Sequence, residues 1–375
     1  MNAPSLPTLR TADRDQLQRD IESMVEAGFT AVQLRVHDEQ GDWTGVAGRR
    51  ALDDSTPPST DGHVRIGSNT KTFAATVALA LVGENVLGLD APVHDHLPEL
   101  RLDPRITLRM LLQHTSGVFN FTGEYYEDGT FVPGIPATQS GKEWADNRFR
   151  TYAPEELVGI ALSNPARFEP GTDWSYSNTN YVLVRLLIER VTGRSLAEET
   201  HRLVLGPLGL TGTVLPGTSQ DIPDPYTHAY YRYDDGGQER TVDVTRHNPS
   251  WIATGGDMIS TTQDLQTFLV ALVTGKLLPE ELLAEMLTPH PKAGYGLGVF
   301  VQPTEAGGTV ITHNGGIAGH AALMYSTPDG RRSLTAALHY VDDPAMSMGA
   351  AFQQTSQKLV RAVFGGEEAA GPTEA

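Results

Sequence analysis

The sequence predicts an α/β protein of the α+β type. An antiparallel sheet is built from both chain ends and flanked by the terminal helices, with a mainly helical region inserted between them. Three observations carry this reading: alternating apolar residues near both ends, helical spacing through the middle, and no repeat at a fixed period. The 375 residues, 39% hydrophobic and 20% charged, suit one large globular domain or two modest ones rather than a disordered chain.

Leu17, Ile21, Met24, Val25 and Phe29 recur at helical spacing, and Asp13 is placed to cap such a helix. Val32, Leu34 and Val36 then alternate, "DEQGD" supplies a turn, and "WTGVAG" returns as a second strand. At the far end "YGLGVFVQ", "GTVITHNG" and "HAALMYSTPDGRRSLTAALHY" read as successive strands, with Asp329-Gly330 as a hairpin turn. A helix over 344–364 follows. Between the ends, helical patterns cover 68–82, 107–113, 154–162, 180–192 and 261–274. The loops 115–150 and 211–250 are long, as functional walls often are. The expected organisation is an extension over 1–12, one catalytic domain over 13–364, and a small acidic disordered tail over 365–375. Within the domain, the sheet region takes about 13–60 and 290–364, and the helical region about 61–289.

Composition excludes several functions. The net charge of −18 and the lack of any basic run argue against nucleic-acid binding, which needs clustered Lys and Arg. The absence of cysteine removes disulfides, thiolate catalysis and Cys-based metal sites. No apolar stretch reaches membrane-spanning length, and the N-terminus lacks the basic start and apolar core of a signal peptide. The expectation is a protein without membrane contact, cytoplasmic unless an export signal has been removed.

Ser68 and Lys71 form the only Ser-x-x-Lys in a chain with five lysines and 23 arginines. On a helix the two side chains share a face, so the amine lies beside the hydroxyl. A serine hydroxyl needs a neighbouring base, and a lysine serves if burial lowers its pKa. At a helix start, the Ser68 N–H is also free to meet an oxyanion. The competing reading is a capping serine and a solvated lysine. "DWSYSNTNY" holds the only Tyr-x-Asn, in which Tyr176 could become phenolate-like and relay a proton while Asn178 grips a substrate amide. Its alternative is a polar turn. "THNGG" places His313, Asn314, Gly315 and Gly316 at a strand end, where glycines admit a substrate backbone and free the Gly316 N–H as a second oxyanion donor. Its alternative is a turn between strands.

The three motifs occur in this order, 108 and 137 residues apart, and together they identify a resemblance. With "LLQHTSGV", "EPGTDWSYSNTNY", "GPLGLTGT", "TGGDMISTTQDL" and "YGLGV", the chain resembles the serine penicillin-recognising enzymes from about residue 15 to 364. These are the class C β-lactamases, the DD-peptidases and the related esterases, amidases and acyltransferases; the likeness is nearest to soluble actinomycete DD-carboxypeptidases. The resemblance implies a β-lactamase/DD-peptidase-like fold, no cofactor and no metal. It implies that Ser68 forms an acyl-enzyme, Lys71 and Tyr176 handle its proton, and Asn178 binds the substrate amide. His313 stands where many relatives have lysine, and the Ser68 and Gly316 N–H groups make the oxyanion hole. Phe119 and Trp251 would be aromatic walls or plain packing; Asn314 and Gly315 would line the substrate site.

Two departures bear on substrate. Phe300 stands at the position of the arginine with which carboxypeptidase relatives hold a free carboxylate, and Gly316 replaces a hydroxyl residue. Losing such charge-assisted bonds costs about 1.5–3 kcal/mol each. Arg331 and Arg332 read as exposed hairpin residues. The expected function is therefore acyl transfer from a small or peptide-like amide or ester by an esterase, amidase or transacylase. The alternatives are a DD-carboxypeptidase or β-lactamase with its carboxylate clamp elsewhere, or a weakly catalytic penicillin-binding sensor. Lys292-Ala293-Gly294 reads as the approach to a strand, and His94-Asp95-His96 as an exposed loop rather than a metal site. Tyr230, Tyr231 and Tyr233 with "DDGG" suggest a hairpin that could overhang the site.

Overall fold

The computed structural model describes residues 13–135 and 141–365. The expected extension over 1–12 and the tail from 366 onward lie outside the described residues. Helix α1 (Arg14–Glu26) starts at Asp13, whose carboxylate accepts the N–H groups of Asp15 and Gln16. Its buried stripe is Leu17, Ile21 and Met24; Phe29, expected on that helix, instead opens strand β1 (Phe29–Asp38). Gly28, at φ +112°, breaks the helix before it. Strand β2 (Gly41–Gly48) returns as a hairpin with Val36 opposite Trp43.

The other strands of this sheet are β3 (Tyr230–Asp234), β4 (Glu239–Asp243), β5 (Phe300–Pro303), β6 (Thr309–Ile317), β7 (His320–Ser326) and β8 (Ser333–Asp342). The antiparallel order is β2-β1-β8-β7-β6-β5, so the two chain ends meet where β1 pairs with β8. The β3–β4 hairpin comes from the inserted region and joins the end of β8 in parallel, Tyr230 beside Val341 and Tyr231 beside Asp342. One sheet face, with Val32, Leu34, Leu323 and Leu338, packs on α1 and the C-terminal helix. The other face, with Ala322, Met324 and Ala337, meets the helical region.

In that region α2 (Thr70–Gly83) is apolar nearly all round and accordingly buried. Beyond shorter helices that include Leu108–Gln113 and Pro154–Leu162, the same region holds α3 (Asn178–Thr192), ended by the left-handed Gly193, and α4 (Thr262–Val273), capped by Thr261. The last helix, α5 (Gly349–Phe364), begins five residues later than expected. Asp343 first bends the chain, its carboxylate accepting the N–H groups of Ala345 and Ser347. "YGLGV" likewise is not strand. Gly298 sits at φ +87° against α2, where a Cβ would come 2.4 Å from that of Ala75, and pairing starts only at Phe300. Arg332 is not exposed as expected: it is buried, bonded to Glu39 and to the Val363 carbonyl. No helix among the described residues is long and apolar enough to cross a membrane.

His320 on β7 and His339 on β8 lie opposite each other, both wholly buried. Burial holds both imidazoles below their usual pKa, His339 at about 3. An unfolded chain takes up these protons near pH 6.5. Between about pH 6.5 and 3 the unfolded state therefore binds more protons. Stability is full above that window and falls as pH drops through it, by up to about 1.4 kcal/mol per unit for each histidine. Denaturant unfolding between pH 7 and 4 should show this slope, reduced by about one proton in His339→Leu; an unchanged slope in the variant would refute the assignment.

Candidate active site

Ser68 lies on the short 3-10 turn Gly67–Asn69 that leads into α2. Backbone contact with β6 holds the turn in place. A Cβ on Gly67 would come 2.5 Å from the Gly316 N, and one on Gly315 would come 2.1 Å from the Ile66 O and 2.4 Å from the Ser68 N. Only glycines allow this approach. Asn69 locks the turn to the sheet by donating to the Ile66 and Ala322 carbonyls. Beyond Thr312, β6 has no partner on its β5 side, and Ser68, Asn314, Gly315 and Gly316 all line one cleft of about 880 Å³.

Lys71, one helical turn on, is wholly buried. Its Nζ lies 3.2 Å from Ser68 Oγ and donates to Asn178 Oδ1 at 2.7 Å and to the Gly255 carbonyl at 2.5 Å. Burial holds its pKa well below the usual lysine range. Asn178 and Gly255 offer only acceptor oxygens, so they claim two hydrogens of a neutral amine and leave its lone pair toward Ser68. The Tyr176 hydroxyl is hydrogen-bonded to Ser68, and its ring lies 4.8 Å from Lys71 Nζ. Burial pushes the phenol pKa up, so Tyr176 rests as a neutral phenol. The direction runs against the expected phenolate-like state, because desolvation outweighs the hydrogen bond with Ser68.

His313 is buried, with Nε2 3.2 Å from the Tyr295 hydroxyl and Nδ1 2.9 Å from the Asn314 carbonyl. Burial above all lowers its pKa to about 3, so it stays neutral. It makes no hydrogen bond to Ser68 or Lys71 and supports the site from behind.

Of the expected aromatic walls, Trp251 lines the cleft and Phe119 does not. Phe119 is 1% exposed and belongs to the core. Its neighbour Asn120 touches the site instead, accepting the Asn178 N–H at 3.0 Å, while Thr122 Oγ1 accepts from the Asn178 amide at 3.1 Å. Phe300, expected among the substrate contacts, packs edge-on against Tyr295 with centroids 4.6 Å apart and is not on the cleft wall. Tyr231 of the β3–β4 hairpin does line it. Lys292 pairs with Asp173 at 2.6 Å on the surface. His94 and Asp95 sit on a short turn, and no group of three metal-ligating side chains occurs among the described residues.

Sequence reasoning passed over His114, although "LLQHTSGV" contains it. This buried ring stacks 4.3 Å from that of Tyr176, and its Nδ1 accepts from the Ser177 N–H at 3.2 Å and the Asn180 amide at 3.1 Å. It thereby positions the Tyr176-Ser177-Asn178 segment. The left-handed His114 backbone, φ 63°, ends a helix, and only the fold shows which segment its side chain meets.

Residues 18–354 match the Beta-lactamase family, and the chain belongs to it. It is 36% identical to a D-stereospecific amidohydrolase from Streptomyces sp., with a TM-score of 0.81 over 95% of this chain and 100% of that one. The D-amino acid amidase of Ochrobactrum anthropi SV3, complexed with D-phenylalanine, shares the fold at TM-score 0.76 and 23% identity, with 93% and 98% covered. Esterase EstB of Burkholderia gladioli is 34% identical over 176 residues, 44% of this chain and 41% of that protein. Among penicillin-binding relatives from Bacillus subtilis, the chain spans 67% and 63% of their lengths. The protein is a serine hydrolase of the Beta-lactamase family.

The close Gly315 contact makes one variant informative. Gly315→Ala must push β6 off the Ser68 turn, and acylation by a p-nitrophenyl ester should fall about 10²–10³-fold, the usual loss of an oxyanion donor. Wild-type burst kinetics would show that this contact is dispensable.

Proposed function

We propose that this protein is an amidohydrolase that cleaves D-configured amides and the corresponding esters through an acyl-enzyme on Ser68, without needing a free substrate carboxylate. One observation carries the reading: the cleft that holds Ser68 is lined by aromatic and apolar side chains and by Asp342 and Asp343, with no lysine or arginine among its lining residues. A free carboxylate would meet like charge there and no clamp. The D-stereospecific amidohydrolase, matched along its whole length, supports the amide assignment. The complete set of Ser68, Lys71, Tyr176 and Asn178 speaks against a mere sensor.

Ser68 Oγ attacks the carbonyl carbon while its proton passes to the neutral Lys71 amine. The oxyanion is met by the N–H groups of Ser68 and Gly316. The carbon–nitrogen bond then breaks, Tyr176 gives its phenolic proton to the departing nitrogen, and Lys71 returns a proton to Tyr176. Water attacks the resulting ester by the reverse proton path, releasing the acid and restoring Ser68. Asn178 holds the Lys71 amine and offers its amide edge to the substrate. Trp251 walls the cleft.

Ser68→Ala should reduce amide turnover by about 10⁴-fold or more with folding retained; full activity would end the proposal. Lys71→Arg replaces the neutral amine with a permanent cation that cannot act as a base, so acylation should fall by about 10³-fold. Because the Lys71 pKa is lowered from 10.5, kcat/KM should rise with pH through a limb well below that value. A limb at the ordinary lysine pKa would show the amine protonated at neutral pH. D-phenylalanine amide and methyl ester should turn over at least tenfold faster than an acyl-D-Ala-D-Ala peptide bearing its free carboxylate; the reverse order would point to a carboxypeptidase.

A further inference from the structure

We propose that Asp342 makes this cleft selective for substrates carrying a positively charged amine one to two residues from the reactive carbonyl, on the acyl side. The inference rests on the acyl-enzyme reading above. It starts from an unbalanced charge.

Asp342 ends β8, half-buried, and faces the cleft. Its carboxylate accepts the Asp343 N–H at 2.9 Å and the Gly319 N–H, which hold it in place without neutralising it. The neighbouring Arg232 is already engaged, by Asp343 at 2.9 Å and Glu239 at 3.8 Å. Among the described residues no lysine, arginine or histidine lies within ion-pair distance of Asp342. Several other sequestered carboxylates do face a cation: Asp38 faces Arg14, Glu124 faces Arg167, and Glu199 faces Arg194 and Arg202. Asp257 and Asp264, like Asp342, lack an ion pair among the described residues, but neither lines the cleft. Burial and the adjacent Asp343 push the Asp342 pKa up, so a cation placed beside it would relieve both effects. The walls nearby, Tyr231, Tyr340 and Met348, are aromatic or apolar, which strengthens a charge pair relative to water.

The location specifies where on the substrate the charge must be. Gly319, which donates to Asp342, lies three residues past the oxyanion donor Gly316 at the β6–β7 turn. Three extended residues would span about 10 Å, and the turn at Ala318 and Gly319 shortens that, so the carboxylate stays within reach of a short extended group bound at the oxyanion hole. An extended group of one to two residues spans that distance. Tyr176, which serves the leaving group, lies toward the opposite, His313 end of β6, linked to it through Tyr295. The acyl portion therefore runs toward Asp342. At the rim Tyr125, Phe131 and Met346 are 70%, 44% and 71% exposed, so apolar surface accompanies the charge.

The test uses binding, so that it does not depend on turnover. In a Ser68→Ala background, glycyl-D-phenylalanine amide, with its charged amine, and N-acetylglycyl-D-phenylalanine amide, its neutral counterpart, are titrated by calorimetry. The charged ligand should bind at least tenfold more tightly. Adding Asp342→Asn should bring the two affinities within about twofold, and Asp342→Glu should restore the preference. Equal affinities, a preference that survives Asp342→Asn, or no binding of either ligand would overturn the proposal. The Ser68 protein given the same two amides reads the amidohydrolase assignment separately. Hydrolysis of both without preference keeps that assignment and removes the role of Asp342, whereas selective binding with no hydrolysis of either does the opposite.

Discussion

A lysine side chain taken entirely out of water organises this protein. An ammonium in such a place costs several kcal/mol unless it is paired, and the groups bonded to Lys71 are oxygens without formal charge; the buried Asp257 carboxyl opposes the effect of burial but does not outweigh it. The environment therefore favours the neutral amine. Keeping it so requires a largely apolar, buried helix around it, a carbonyl from the Gly255 segment and an amide from the start of α3. These elements are far apart in the chain. The inserted region is arranged around satisfying one amine.

The sheet meets that arrangement along its glycines. β6 lies against the Ser68 turn closely enough that side chains at Gly67 or Gly315 would collide with backbone. Rigid contact between two backbones places N–H groups more accurately than flexible side chains could. The same strand carries His313 on its inner side, neutral and bonded to Tyr295. Many relatives place a lysine there, as the sequence resemblance implies; here burial removes the charge. Together with a cleft lined by Asp342 and Asp343 and by no lysine or arginine, this keeps positive charge off the site wall.

Much of the fold was legible because it rests on local rules. Asp13, Thr107 and Thr261 are capping residues at helix starts, and the alternation through Val32, Leu34 and Val36 sets a strand with one face in the core. The departures come where a distant group overrides local pattern. Asp343 holds the N–H groups of Ala345 and Ser347 and so delays α5; Gly298 turns to fit α2 and so delays β5; and Glu39 with the Val363 carbonyl draws Arg332 into the interior.

By itself the sequence determined the antiparallel, helix-flanked architecture and the order and spacing of Ser68, Lys71, Tyr176 and Asn178, because periodicity, caps and motif spacing are properties of neighbouring residues. Only the tertiary structure decided that Asn120 rather than Phe119 reaches the site, that His114 steadies Tyr176, that burial makes Lys71 and Tyr176 neutral, and that Asp342 faces the cleft without a counter-charge. Each of these depends on desolvation and on contacts between segments tens to hundreds of residues apart, quantities that exist only once the chain has folded.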